Sequence, residues 1–195
     1  GSRATYLPQR PQPLARLYYE AVDGWRAPLL HVRPAPGGRG EPVVLVHALG
    51  AGPDVFRIGD RPTLVSALSA AGFSVYLLGH RGDRGAVAPH PHAEVHFDEI
   101  AARDLPAAVD RVAAHSGFER VHLVGHGLGG QLVLAAASGR LVLPASVVVM
   151  CAPTRFVRPS SGLTRMTLVA SLLPVDWAVP TSTIGPLVAP FVGEG

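Results

Sequence analysis

Four short apolar runs constrain this chain more than any other feature. PVVLVHAL from Pro42, SVYLLGH, VHLVGH and ASVVVMCAP are each of strand length and apolar at consecutive positions. A strand with one wet face alternates; a continuous run belongs to a strand covered on both faces. Between the runs lie stretches with helical periodicity: residues 61–71, stopped by Gly72, residues 97–114, and residues 128–138. The second of these carries Ile100, Leu105, Ala108, Val109 and Val112 on one side, and Pro106 predicts a kink or restart within it. Buried strands alternating with helices predict an α/β domain built on a parallel sheet. Upstream, residues 16–21 and 28–33 read as two strands around an Asp23-Gly24 turn, a hairpin added to that sheet. The expected architecture is a mostly parallel sheet of about six strands flanked by helices.

Ligands of such sheets sit at the carboxyl ends of the strands. Those ends here are His47-Ala48-Leu49-Gly50, Gly79-His80-Arg81-Gly82, Gly125 to Gly130, and Cys151-Ala152-Pro153. The site is expected on that edge. Residues 1–14, rich in proline and arginine, read as a loosely held arm, with Gly1-Ser2 as an expression scar. Residues 15–153 read as the core. Residues 154–195 change to a Pro, Ser, Thr and Arg texture with apolar patches and read as part of a lid.

Composition removes several classes. No run reaches the roughly 18 apolar residues of a membrane span. Cys151 is the one cysteine, so no internal disulfide forms. A net charge of +3, carried by scattered arginines with no lysine, does not make a nucleic-acid surface. With no secretory signal in view, a cytoplasmic protein is expected. No acid occurs from Gln131 to Val175, where Arg140, Arg155, Arg158 and Arg165 lie. That stretch reads as a solvated basic rim or as a surface awaiting an acidic partner.

The stretch VHLVGHGLGG, residues 121–130, admits two readings. Gly125, Gly127 and Gly130 spell the G-x-G-x-x-G of a dinucleotide site. That motif belongs in the first strand-to-helix turn and needs an acid about 20 residues on to hold the ribose. Several strands precede this turn, and the acid-free stretch removes every candidate, so no cofactor is expected. The alternative is a G-x-S-x-G nucleophile elbow, Gly125-His126-Gly127-Leu128-Gly129, with glycine in the serine position.

On this second reading the sequence resembles the α/β-hydrolase superfamily, where the elbow usually reads GHSLGG. VVLVHALGAG resembles the oxyanion-loop strand, here with His47-Ala48 for the usual His-Gly. LLGHRGDRGA is similar to the following strand and its Arg-Gly turn. FDEIAARDLPAAVDRV resembles the helix before the elbow in acid-lipase-like and polyester synthase or depolymerase-like members. The resemblance implies an α/β-hydrolase fold, incomplete here, with part of a lid. It also implies carboxylic-ester or lipid hydrolase ancestry, a nucleophile position at Gly127, and an oxyanion hole from the backbone N–H groups of Leu49 and Leu128.

That chemistry also needs a base and an orienting acid, in chain order after the nucleophile. All nine histidines lie at or before His126, and the acids after the elbow are Asp176 and Glu194. No catalytic set is intact. Cys151 is read as a small buried hydrophobe rather than a substitute nucleophile. His126 is expected to point away from the substrate. His47 and His80 are possible ligand contacts. His90, His92 and His96, with Glu94 and Asp98 close by, form an H-x-H-x3-H loop read as solvated, with no metal.

The expected function is binding, by a catalytically incompetent relative of ester hydrolases. The partner is an acyl-ester or lipid-like small molecule, or another chain. Alternatively the chain is a fragment or one half of an active hydrolase, completed by a C-terminal part. A third reading is an assembly module that forms a homodimer through the exposed edge of the strand at residues 145–150.

Overall fold

The computed structural model describes residues 14–48, 50–58 and 62–154. The hairpin strands are β1 (Leu14–Glu20) and β2 (Arg26–Val32), antiparallel to each other. The apolar runs form β3 (Pro42–Val46), β4 (Ser74–Leu78), β5 (His122–His126) and β6 (Ser146–Met150). All six share one sheet in the order β1-β2-β4-β3-β5-β6. β4, β3, β5 and β6 run parallel, so their carboxyl ends share one edge. β2 joins β4 antiparallel, which places the turn between β1 and β2 at that same edge.

Side chains alternate across the sheet, and both faces are dry. Val44, Val46, Tyr76, Leu78 and Leu123 share a cluster with Leu105, Ala108, Val112, Leu132, Val133 and Ala136 from α3 (Leu105–Ser116) and α4 (Leu128–Ser138). Val43, Leu45, Val75, Leu77 and Val124 pack on the other face against Phe56 and Val65, with α1 (Leu64–Ala70) above them. This two-sided burial is why the runs are continuously apolar. At α1 the expected start moves inward: Thr63 caps it, its side chain accepting from the Ser66 N–H while Ser66 Oγ accepts from the Thr63 N–H. Arg61, expected at the start of this helix, lies outside the described residues.

Between β4 and β5 the helical stretch is not uniform. α2 (Phe97–Glu99) leads into a π turn, Ile100–Asp104, and then into α3. Pro106 falls in the first turn of α3, where its missing N–H costs least. The restart expected at the proline is therefore a widened turn just before it, with the Leu105 N–H bonded back to the Ile100 carbonyl. α3 runs two residues beyond the expected end and stops at Gly117, whose φ of 77° suits glycine.

The π turn carries Asp104 into the interior, fully buried, against Arg81 from the turn after β4. Arg81 Nε donates to both Asp104 oxygens at 3.0 and 2.9 Å. Its Nη1 reaches Asp23 at 2.8 Å and Glu99 at 3.0 Å. Arg103 Nη1 bonds the same two acids at 2.8 and 3.2 Å. Burial opposes charge on Arg81, but the hydrogen bonds to Asp104 and Asp23 outweigh it and raise its pKa above the ordinary arginine value. The knot ties the hairpin turn, the loop after β4 and the π turn together. At the opposite end of the sheet, His31 Nε2 meets Ser74 Oγ at 2.8 Å, and its ring stacks on Tyr76 at 4.5 Å.

β6 is the last strand of the described sheet. Val147 and Val148 on it are 36 % and 48 % exposed, so apolar side chains face solvent on both of its faces.

Two outcomes test this account. Arg81→Leu leaves three carboxylates short of a cation and should lower stability by about 3–5 kcal/mol, against less than about 1 kcal/mol for Arg103→Ala, by urea unfolding. His31 is held down to about 4, chiefly by burial, then by His115 and Arg33. Its unfolded form takes a proton near pH 6.5, so the stability it supports is complete above about 6.5 and drains away as pH falls toward about 4. Unfolding free energy measured across that window should rise with pH, and His31→Gln should flatten the rise.

Candidate functional site

The candidate site is the turn from β5 into α4, and its glycines are packing requirements. A Cβ at Gly129 would meet the carbonyl oxygen of Val46, and one at Gly125 would sit 2.5 Å from the Gly129 carbonyl oxygen. α4 therefore lies against bare backbone of β3 and β5. Gly127 itself has φ 57° and ψ −120°, a conformation that side chains with a Cβ rarely adopt. Its N–H donates to the Met150 carbonyl at 2.9 Å, anchoring the turn to the end of β6. Its carbonyl accepts from the N–H of Gly130 at 3.0 Å and of Gln131 at 3.3 Å. No side chain caps α4, and the N–H groups of the first helical turn point outward along the axis from Leu128.

Across from Gly127 stands Ala48. A Cβ at residue 127 would lie 2.9 Å from the Ala48 methyl. Glycine and alanine thus share the space that a serine and a glycine would divide the other way. Leu49, the expected second amide of the oxyanion hole, lies outside the described residues.

His47 and His80 are brought together, but inward. They are 1 % and 5 % exposed, so both are buried rather than presented to a ligand. Their rings sit 4.2 Å apart. His47 Nε2 meets Asp83 Oδ2 at 2.8 Å, and the His80 N–H donates to the same oxygen at 2.7 Å. Burial would raise the Asp83 carboxyl, but the His47 hydrogen bond and charge outweigh it and the net shift is downward. Burial, then the charge of His47, hold His80 down at about 4. His126 is half-buried at the end of β5.

Cys151 corrects the sequence reading: it is exposed, not buried. It follows the last residue of β6 and turns out of the sheet with φ 50°. The apolar run persuades the eye that the strand continues, whereas the backbone leaves the sheet at Met150.

His90 and His96 line one cleft of about 290 Å³ with Glu94, Asp23, Glu99, Arg103 and Trp25. His96 Nε2 bonds Glu94 Oε2 at 2.8 Å. His92 is exposed and does not line this cleft. Among the described residues, no three of His, Cys, Asp and Glu gather at metal-holding positions. No helix of the described residues is long and apolar enough to cross a membrane.

Asp83 and the Arg81 knot are not among the residues that the sequence marks, although Asp83 stands three residues after His80 in an Arg-Gly turn. The sequence marks Ala48 only as a departure from His-Gly; its distance to residue 127 is not a local property.

The sequence matches the family model described as α/β hydrolase fold over residues 41–178. No curated protein matches it. Solved structures do. A putative lipase from Acinetobacter baumannii is 15 % identical with a TM-score of 0.63, over 88 % of this chain and 52 % of that one. Epoxide hydrolase A from Mycobacterium thermoresistibile is 22 % identical with a TM-score of 0.58, over 84 % and 46 %. A serine hydrolase without lid from Xanthomonas campestris is 20 % identical with a TM-score of 0.54, over 79 % and 68 %. At these identities the likeness is one of fold. The chain spans about half the length of four further solved structures that it matches.

The crowding at residue 127 has a measurable consequence. Gly127→Ser should cost about 1–3 kcal/mol, from strain at positive φ and contact with Ala48. In a double-mutant cycle by urea unfolding, Ala48→Gly should return part of that cost, a favourable coupling of at least about 0.5 kcal/mol.

Proposed function

This chain belongs to the α/β-hydrolase fold family, and on that premise we propose that, as it stands, it is a non-catalytic member that binds at its carboxyl edge. The ligand is an acyl-ester or lipid-like small molecule, or a partner chain. One observation carries the reading. Residue 127 has the elbow's left-handed backbone, but it is glycine, and the Ala48 methyl fills the space a nucleophile's Cβ would use. What the elbow keeps is the backbone: the Leu128 N–H at the head of α4, with Leu49 as its proposed counterpart, forms an electropositive cradle for a carbonyl or carboxylate oxygen. The texture of the sequence assigns residues 15–153 to a core and residues 154–195 to a lid segment, of which residues 155–195 lie outside the described residues.

A second reading is favoured by the exposed valines of β6 and by the lengths of the matched structures. Here the chain is the N-terminal part of an ester, lipid or polyester hydrolase whose acid and histidine come from a further segment or chain at the β6 edge. Pairing of two copies through that edge is the corresponding assembly reading, and light scattering at high concentration separates it, since a monomer there excludes it.

Turnover of short-chain nitrophenyl esters should stay at the buffer rate, without a burst. Turnover well above buffer that disappears in Cys151→Ala or His126→Ala would overturn the non-catalytic reading. For the second reading, the Ala48→Gly, Gly127→Ser variant mixed with a C-terminal half should react with an organophosphonate probe. A half that binds without enabling labelling excludes it.

A further inference from the structure

Ala48 is held against Gly127 by the histidine before it. His47 Nδ1 meets the Ala48 carbonyl oxygen at 2.8 Å, while Nε2 meets Asp83 Oδ2 at 2.8 Å. Both neighbours are acceptors, so the ring satisfies both at once only with a proton on each nitrogen. His80 lies on this ring, centroids 4.2 Å apart and planes 49° apart. Its Nε2 faces the His47 carbonyl oxygen at 3.4 Å. Its Nδ1 is buried with no hydrogen-bond partner. Nε2 is therefore the protonated nitrogen, and Nδ1 carries a lone pair that nothing in the described protein uses.

A proton entering His80 goes to that lone pair. It puts a charged ring against His47 and creates a buried N–H without an acceptor. We propose that the His47–His80 ring pair over Asp83 is an acid-sensitive latch, pressing Ala48 onto the elbow at neutral pH and releasing it when His80 takes a proton. Release frees the space beside Gly127 and opens the head of α4 to a ligand oxygen. The latch regulates the site proposed above; its role rests on that reading, and its geometry does not.

The nearest carboxylates are Asp83, held below its ordinary value by His47, and Asp104, pushed above its own by burial. From β1, Tyr19 donates its hydroxyl to the Gly79 carbonyl at 3.0 Å, and burial, then the charge of Asp104, raise its phenol so that it stays neutral. Arg81 is turned to Asp104, Asp23 and Glu99. From α4, Gly127, Leu128 and Gly129 bring no charge. Burial first, and His47 second, depress His80 to about 4, so release belongs to acidic conditions.

Imidazole nitrogen spectra and alanine-methyl spectra of the intact chain, recorded from about pH 7.5 to about pH 4, test the latch. His80 should remain the neutral Nε2–H form above about pH 5. The Ala48 methyl and the Gly127 amide should then shift together with His80, reversibly. His80→Gln should abolish the joint shift. Asp83→Asn, which takes the carboxylate from His47, should show the shifted Ala48 signal already at neutral pH. Should the chain unfold before His80 titrates, His80→Gln must lower the acid midpoint by roughly half a pH unit. The latch is wrong if His80 titrates while Ala48 and Gly127 do not move, if Asp83→Asn leaves the Ala48 signal in place, or if the acid midpoint ignores His80→Gln. None of these readouts depends on ligand or turnover, so the latch and the binding reading stand or fall separately.

Discussion

The carboxyl edge depends on how closely α4 lies against the backbone of β3. Gly129 rests on the Val46 and His47 carbonyls, and Gly125 on the first turn of α4. That approach leaves no room for a Cβ, and it brings the turn at Gly127 up against Ala48. Close backbone packing also fixes the helix against β3 and β5, and no side chain at residue 127 is needed to orient the amides at its head. Glycine at residue 127 takes this backbone conformation without the strain that a residue with a Cβ would bear there.

A second constraint lies to the side of the elbow. Arg81 gathers Asp104, Asp23 and Glu99, and through them the hairpin turn, the π turn and α2. The π turn gives Asp104 its position, and Pro106 explains why the widening falls there. His80, Arg81 and Asp83 then divide labour within four residues: one ring turns to His47, the guanidinium to the knot, and the carboxylate back to both histidines. This short turn joins the elbow's neighbourhood to the hairpin.

What could be read from the residues is what local pattern encodes. Continuous apolar runs locate β3 to β6 to within a few residues, because burial on both faces leaves no other composition. Leu128 to Ser138 is legible end to end, since a glycine cluster precedes an unbroken apolar helix. Motif order indicates the family. The pairings that make the site are not local. His47 and Asp83 are 36 positions apart and Arg81 and Asp104 are 23 apart, and no periodicity marks them. Cys151 was misplaced for a related reason: a strand's end depends on its partner's, and here the backbone turns away just after the Met150 carbonyl has accepted the Gly127 N–H. His47 and His80 stand on the expected edge, but their burial follows from packing that no local pattern marks.

The position of β3 has a consequence for motion. It is hydrogen-bonded on both sides, to β4 and to β5, and every residue from Pro42 to Val46 is buried. Its amide protons cannot meet solvent through fraying of an edge or opening of one neighbour alone. Exchange at Val44 and Leu45 therefore counts global unfolding events, while β1 and β6, each bonded on one side within the described sheet, exchange through cheaper openings. Ala48 follows β3 and the turn at Gly127 follows β5, both interior strands of the described sheet, so this edge stands on a rigid floor.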